Sequence, residues 1–143
     1  MNFQSDVMEK YNVDRDISLF YVKAKSFPFG VGGAFTQLRS LLPEGSDRKL
    51  YGISNPSGSE GIIYRAAVEE VFPGEGKGKG CETFLIRKGS YISKYLTDWK
   101  KDESGVGVAF QELLRHPGID PNGYCLEIYE NEKDVRCLVP LAE

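Results

Sequence analysis

The carboxylate of Glu127 has the most distinctive chemical setting in this sequence. It lies within residues 123–130, a hydrophobic and aromatic run between two turn-forming segments, which predicts a buried strand. Side chains alternate between the faces of a strand, so Cys125, Glu127 and Tyr129 share one face. An enclosed carboxylate tends to have a raised pKa and can act as a general acid or base. The alternative is that Glu127 faces solvent or forms a salt bridge at a strand edge.

The other reactive side chains do not form a recognisable catalytic or metal-binding set. The three cysteines, Cys81, Cys125 and Cys137, have no Cys-x-x-Cys spacing, and His116 is the only histidine. This pattern supports neither a zinc site nor a disulfide framework. With one histidine, a Ser-His-Asp or Cys-His nucleophile is also poorly supported. His116 stands at the predicted end of a helix, where a structural role is favoured. We therefore predict no metal ion and no catalytic set.

Two glycine-rich segments resemble nucleotide-binding loops but lack the required residues. Residues 74–80 do not contain Gly-x-x-x-x-Gly-Lys-Ser/Thr, and no helical pattern follows them directly, which favours a flexible linker. Residues 30–35 fail the dinucleotide-binding pattern at the last position, where Phe35 replaces a small residue. Neither segment predicts a cofactor.

The composition indicates a single globular domain. The 143 residues are 41% hydrophobic and 27% charged, which excludes a disordered or collagen-like chain. A net charge of −3 and a pI near 5.3 argue against direct nucleic-acid binding. The sequence has neither a signal-peptide pattern nor an apolar run of about 20 residues, so we expect a cytoplasmic protein that does not span a membrane.

Apolar spacing predicts two amphipathic helices among several strands. Apolar residues recur at helical spacing from Ala34 to Leu42 and again from Val106 to Leu114. Runs rich in β-branched and aromatic residues predict the strands, and residues 55–58 predict a turn. Residues 1–16 show no sustained period and are interpreted as a lead-in segment. The predicted strands cover residues 17–24, 49–54, 62–71, 83–86, 90–96, 124–130 and 135–141.

The two halves of the chain repeat the same order of elements. Residues 30–35 recur as residues 105–110, and Leu38 is matched by Leu113. We interpret this as an internal duplication within one domain, residues 17–143, with repeat halves near 17–72 and 83–141. The alternative is chance similarity between two short helix starts. Two β-α-β-β modules predict an α+β fold, in which a pseudo-twofold antiparallel sheet carries two main helices and a central ligand cleft.

Three short motifs in this frame give the chain a resemblance to a known family. They are Leu-Tyr-Gly at residues 50–52, a tyrosine-bearing kink at residues 88–91 and Glu-Ile-Tyr at residues 127–129. In order and spacing they resemble the GyrI-like small-molecule-binding family, the effector-binding domain of many AraC-type and MerR-type multidrug-sensing transcription regulators. The resemblance covers residues 17–141. Such regulators carry a DNA-binding helix-turn-helix before this domain, and residues 1–16 show no such pattern, so the chain resembles the stand-alone members.

The resemblance implies a role for Glu127. In that family the glutamate of the late Glu-x-Tyr strand lies in a hydrophobic cleft lined by aromatic side chains. A planar aromatic cation leaves water only where an opposite charge compensates its own, and a carboxylate beside aromatic side chains supplies that charge. The implied function is binding of hydrophobic, aromatic or cationic small molecules, as a sensor or sequestering module. The candidate ligand-binding residues are Glu127, Tyr129, Trp99, Tyr91, Tyr64 and Tyr51. Each aromatic residue taken singly could instead pack in the core.

Two other functions are left open by the sequence. Some stand-alone members of the family hydrolyse strained cyclopropyl groups of DNA-alkylating natural products, which would make Glu127 a catalytic residue. A protein–protein role, such as gyrase inhibition, is the third possibility, and the sequence shows no dedicated surface for it. No direct nucleic-acid partner is expected.

Overall fold

The computed structural model describes residues 7–57 and 61–143. Contacts divide the described residues into an N-terminal unit, residues 16–87, and a C-terminal unit, residues 88–143 with residues 7–15. No helix in the described ranges is long and apolar enough to cross a membrane.

The strands are β1 (Glu9–Val13), β2 (Ile17–Lys23), β3 (Leu50–Ser57), β4 (Gly61–Glu69), β5 (Glu82–Ile86), β6 (Gly89–Leu96), β7 (Cys125–Tyr129) and β8 (Val135–Pro140). The helices are α1 (Val31–Ser40), α2 (Glu75–Gly78) and α3 (Ser104–Leu113), and Trp99–Lys101 form a short 3-10 turn.

The N-terminal unit is an antiparallel sheet of β3, β4, β2 and β5, in that order. Tyr64 of β4 meets Phe35 of α1 edge to face, with ring centroids 6.1 Å apart. Because side chains alternate along β4, Ala66 and Val68 lie on the same covered face as Tyr64. Helix α1 therefore covers the face that the period-2 pattern of β4 makes hydrophobic.

The C-terminal unit is an antiparallel sheet of β7, β8, β6 and β1, in that order. Helix α3 buries Ala109, Phe110 and Leu113 against the face that carries Val135 and Val139 of β8. Burying each large apolar side chain contributes about 1.5–3 kcal/mol relative to leaving it exposed. The helical spacing seen in the sequence thus determines which side of α3 meets the sheet.

The α+β class with antiparallel strands and two main helices is confirmed. Both units contain the order strand, helix, strand, strand, and each has one further strand at an edge of its sheet. The predicted helices correspond to α1 and α3. Internal duplication, the pseudo-twofold relation and the central cleft stay predictions.

Part of the expected lead-in segment, residues 1–16, is a strand instead. Residues 9–13 form β1, which pairs with β6, and the Arg136 guanidinium lies 4.6 Å from the centroid of the Tyr11 ring. A short strand with mostly exposed side chains carries too few apolar residues to be recognised alone. Residues 1–6 lie outside the described residues.

The segment 74–80, expected to be a flexible linker, is held in place by charged groups. It contains α2, and Arg48 donates hydrogen bonds to both carboxylate oxygens of Glu75 at 2.8 and 2.9 Å. The strand that follows, β5, pairs with β2 and so belongs to the N-terminal unit, although the repeat frame placed it in the second half. Local sequence does not reveal an ion pair between residues so far apart in the chain.

The connection between β3 and β4 also differs from the expected turn at residues 55–58. Residues 55–57 continue β3, and Asn55 and Pro56 pair with Ile63 and Ile62 of β4. Gly58 lies outside the described residues. Turn-forming residue types are therefore accommodated here within a strand.

Candidate functional site

Strand β7 places Glu127 on the face of the C-terminal sheet that α3 covers. Glu127 lies opposite Cys137 of β8, and Cys137 belongs to the core cluster that includes Phe110 and Leu113 of α3. Opposite residues in an antiparallel pair share a face, so Glu127 points to the α3 side. It is only 6% exposed. The alternative of a solvent-facing carboxylate is therefore wrong, and burial follows from the hydrophobic pattern of β7.

Tyr129 and Trp99 continue from Glu127 as a row of contacts. The hydroxyl of Tyr129 donates a hydrogen bond of 2.5 Å to Oε1 of Glu127. The Tyr129 ring lies 5.6 Å from the Trp99 ring, centroid to centroid, at an interplanar angle of 59°. The backbone N–H of Trp99 donates to the carbonyl of Lys133 at 3.0 Å, which fixes the 3-10 turn. Both aromatic side chains are half-buried, so they present ring surface beside a buried acid.

The pKa of the Cys137 thiol reflects the electrostatic environment of the sheet face that α3 covers. Burial raises the pKa of Cys137 well above its ordinary value of 9.0, and the nearby Glu127 and Cys125 raise it further. Desolvation and negative charge both disfavour a thiolate. Cys137 therefore stays a neutral thiol, which suits packing and not nucleophilic attack.

A second buried charged group, not predicted from the sequence, shares this face. Lys94 of β6 is 2% exposed, and its Nζ donates to the carboxylate of Glu112 on α3. Lys94 stands between Ile92 and Leu96 on the hydrophobic side of a predicted strand. The signal that singled out Glu127, a charge at an apolar strand position, was therefore present for Lys94 as well.

The remaining predicted site residues lie elsewhere. Tyr91 alternates with Ile92 and so points to the other face of the C-terminal sheet, where its hydroxyl lies 2.5 Å from that of Tyr124. In the N-terminal unit, Tyr64 stacks on Phe27 with ring centroids 5.9 Å apart, under α1. Tyr51 is buried in the same unit, on the opposite face of its sheet from Tyr64. Glu127, Tyr129 and Trp99 are thus the predicted residues that come together, and a ligand-binding role for any of the six stays a prediction.

The described ranges contain no group of three or more His, Cys, Asp or Glu side chains that could hold a metal ion. The groups on the Glu127 face are the Glu127 carboxylate, the Tyr129 phenol, the Lys94 ion pair, two cysteine thiols and aromatic rings. These groups can neutralise a cation, donate or accept a proton, and stack on a flat ligand.

Comparisons with known proteins show the fold. No protein-family model matches the chain, and no curated protein matches it in sequence. The structure is similar to an integron cassette protein from the mobile metagenome of Vibrio cholerae, with a TM-score of 0.67 and 13% identity over 94% of this chain and 95% of that chain. It is also similar to a protein of Staphylococcus aureus MU50 whose name links it to bacterial transcription regulation, with a TM-score of 0.61 and 9% identity over 96% and 99%.

A third similar structure contains a ligand. It is a protein bound to tetraphenylphosphonium, with a TM-score of 0.65 and 9% identity over 95% of this chain and 94% of that chain. At these identities the similarity concerns the fold. The fold is therefore one that a protein binding a hydrophobic cation also uses.

Proposed function

We propose that this protein binds hydrophobic aromatic cations at the Glu127 face of its C-terminal unit. Glu127 supplies the countercharge, and Tyr129 and Trp99 supply aromatic surface. The observation that carries the proposal is a carboxylate only 6% exposed, with a phenol hydrogen-bonded to it and an indole in contact with that phenol. The protein acts as a sensor or a sequestering module in the cytoplasm, in the manner of a stand-alone GyrI-like domain.

The energetics favour a cation that carries its own apolar surface. A buried carboxylate has lost most of its hydration, so a cation that brings little hydration of its own compensates it at low cost. Aromatic rings next to the charge add a cation-π attraction of about 0.5–2 kcal/mol. Tetraphenylphosphonium has this chemistry, and the similar structure that contains it supports its use as a probe.

The proposal predicts charge-selective loss of binding in Glu127→Gln. Calorimetric titration should show tetraphenylphosphonium binding at least about tenfold more weakly than to the wild type, because removing one partner of a buried charge pair costs several kcal/mol. Neutral triphenylphosphine oxide should change by less than about threefold, since the amide keeps the shape of the site. Glu132→Gln, which neutralises an exposed carboxylate, is the matched control.

Equal losses for the cation and the neutral compound would show that Glu127 has no electrostatic role. Tetraphenylborate, which has a similar shape and the opposite charge, provides a further check. Binding of the anion as tightly as the cation would also contradict the proposal.

The second candidate is hydrolysis of strained cyclopropyl-containing genotoxins at the same glutamate. The hydrogen bond between Tyr129 and Glu127 is the observation that favours it, because a carboxylate held by a phenol can accept a proton from attacking water. Incubation with such a compound distinguishes the two functions. Product formation abolished by Glu127→Gln would indicate an enzyme, and stoichiometric binding without product would indicate a binding module. A protein partner such as gyrase stays a prediction that a pull-down would test.

A further inference from the structure

Lys94 is a lysine whose ammonium group lies inside the C-terminal unit. The side chain is 2% exposed, and it is ion-paired with Glu112 of α3, which is 40% exposed. Lysine is almost never buried to this extent without a partner, because an ammonium group loses strong hydration on leaving water. The partner comes from the helix and not from the sheet, so the ion pair also ties α3 to β6.

The strand register places Lys94 in one row with Glu127. Lys94 is opposite Cys137 across β6 and β8, and Cys137 is opposite Glu127 across β8 and β7. Directly opposite residues share a face, so all three side chains point towards α3. Two strand spacings separate Lys94 from Glu127, which is about 9.5 Å. A lysine and a glutamate leaning towards each other over the small Cys137 side chain can close that gap.

We infer that Lys94 is an internal counter-ion that determines whether the Glu127 site accepts a cation. While Glu112 holds Lys94, the negative field of Glu127 is available to an incoming cation. When Glu112 is neutralised or withdrawn, the buried ammonium group turns to Glu127, the carboxylate on its own row of the sheet. Lys94 then competes with the ligand for the same carboxylate.

This arrangement couples ligand binding to the position of α3. A cation at Glu127 favours the state in which Lys94 stays on Glu112, and that ion pair favours α3 in its place on the sheet. Coupling of this kind is reciprocal, so whatever secures the ion pair also raises affinity for the cation. The ligand part of the inference rests on the proposed function, and the exchange of Lys94 between two carboxylates does not.

The test uses Glu112→Gln, Lys94→Met and the double variant in the full-length chain. The ligand-free crystal structure of Glu112→Gln should show Lys94 Nζ within hydrogen-bond distance of the Glu127 carboxylate. An ammonium group that instead reaches solvent, with the Tyr129–Glu127 hydrogen bond unchanged, would overturn the inference. If Glu112→Gln does not fold, the affinity of Lys94→Met for tetraphenylphosphonium tests the inference instead.

Titration with tetraphenylphosphonium then measures the competition. Glu112→Gln should bind at least about tenfold more weakly than the wild type, and the double variant should return to within about threefold of it, since the competing cation is gone. Lys94→Met alone should bind as tightly as the wild type or more tightly. A double variant as weak as Glu112→Gln, or a tenfold loss in Lys94→Met, would show that the pair merely supports α3. Glu132→Gln, at an exposed position outside α3, is the control.

The two proposals fail in different ways. A wild-type protein that binds no tetraphenylphosphonium rejects the proposed function, while the Glu112→Gln structure still decides the exchange of Lys94. The wild type could bind charge-selectively while Lys94 does not move to Glu127 in Glu112→Gln and the double variant does not regain affinity. That result would reject the role of Lys94 and leave the role of Glu127 unchanged.

Discussion

Among the described residues, tyrosine hydroxyls donate to glutamate carboxylates in two different environments. Tyr129 donates to Glu127 at 2.5 Å on the buried α3 face, and Tyr21 donates to Glu82 at 2.7 Å on the surface. A buried acceptor that loses its donor keeps its desolvation penalty, whereas an exposed acceptor is rehydrated at once. The environment of the carboxylate, and not the bond itself, therefore determines what each tyrosine hydroxyl contributes.

Tyr129→Phe should lower the free energy of unfolding by about 1–3 kcal/mol, because Glu127 is left buried with one donor fewer. Tyr21→Phe is the matched control and should lower it by less than about 0.5 kcal/mol, since water replaces the hydroxyl at Glu82. Urea unfolding followed by tryptophan fluorescence and circular dichroism measures both. Equal effects would mean that Glu127 is accessible to water in solution, which would also weaken the proposed countercharge role.

At the scale of elements, α2 shows how a glycine-rich segment becomes part of the core. Arg48 holds Glu75 at the start of α2, and the N–H of Val71 donates to the same carboxylate at 3.0 Å. A Cβ added to Gly76 would lie 2.3 Å from Cβ of Phe20, whereas one added to Gly78 would meet nothing within 4 Å. The first glycine is therefore required by close packing on β2, and the second is not.

Gly76→Ala should destabilise the protein by about 1–3 kcal/mol, since the backbone of α2 or of β2 must shift to admit the methyl group. Gly78→Ala should be neutral or stabilise it by up to about 1 kcal/mol, because alanine loses less backbone freedom on folding. The midpoint of thermal unfolding of the two variants separates these outcomes. Similar midpoints would indicate that α2 is detached from β2 in solution.

For the molecule as a whole, two buried groups contribute to the way stability responds to pH. The hydrogen bond from Arg48 lowers the pKa of Glu75 below its ordinary value of 4.5, an effect larger than the opposing effect of burial. Burial raises the pKa of Cys137 well above 9.0. Below the ordinary value for glutamic acid the unfolded chain binds a proton that the folded chain does not, so stability falls as the solution becomes more acidic. Above the ordinary value for a thiol, the unfolded chain releases a proton that the folded chain retains, so stability falls again.

The midpoint of thermal unfolding, measured across pH, should therefore form a plateau around neutral pH and fall below pH 4.5 and above pH 9.0. Glu75→Gln should flatten the acid decline while lowering the plateau, and Cys137→Ala should flatten the alkaline decline between about pH 9 and 10. Glu44→Gln, at an exposed position, should leave both slopes unchanged. An acid decline as steep in Glu75→Gln as in the wild type would contradict the role assigned to the Arg48–Glu75 pair.

Prediction from sequence succeeded where the information is local. The spacing of apolar residues located α1 and α3, and the alternation along β7 placed Cys125, Glu127 and Tyr129 on one face of that strand. It failed for β1 and α2, whose residues are polar or glycine-rich and are ordered by partners from distant parts of the chain. The spacing of residues within one segment does not show which distant residues stabilise that segment.

The order and spacing of residues are enough to show that an acid lies in a hydrophobic strand and that two amphipathic helices need a sheet to cover, from which the α+β class follows. Which side chains meet that acid depends on how the strands and helices pack together. The fold places Tyr129 beside Glu127 and Trp99 beside Tyr129, points Tyr91 to the other face, and aligns Lys94 with Glu127 through Cys137. The physical reason is that side-chain alternation belongs to a single strand, whereas register and helix docking depend on burial summed over residues far apart in the chain.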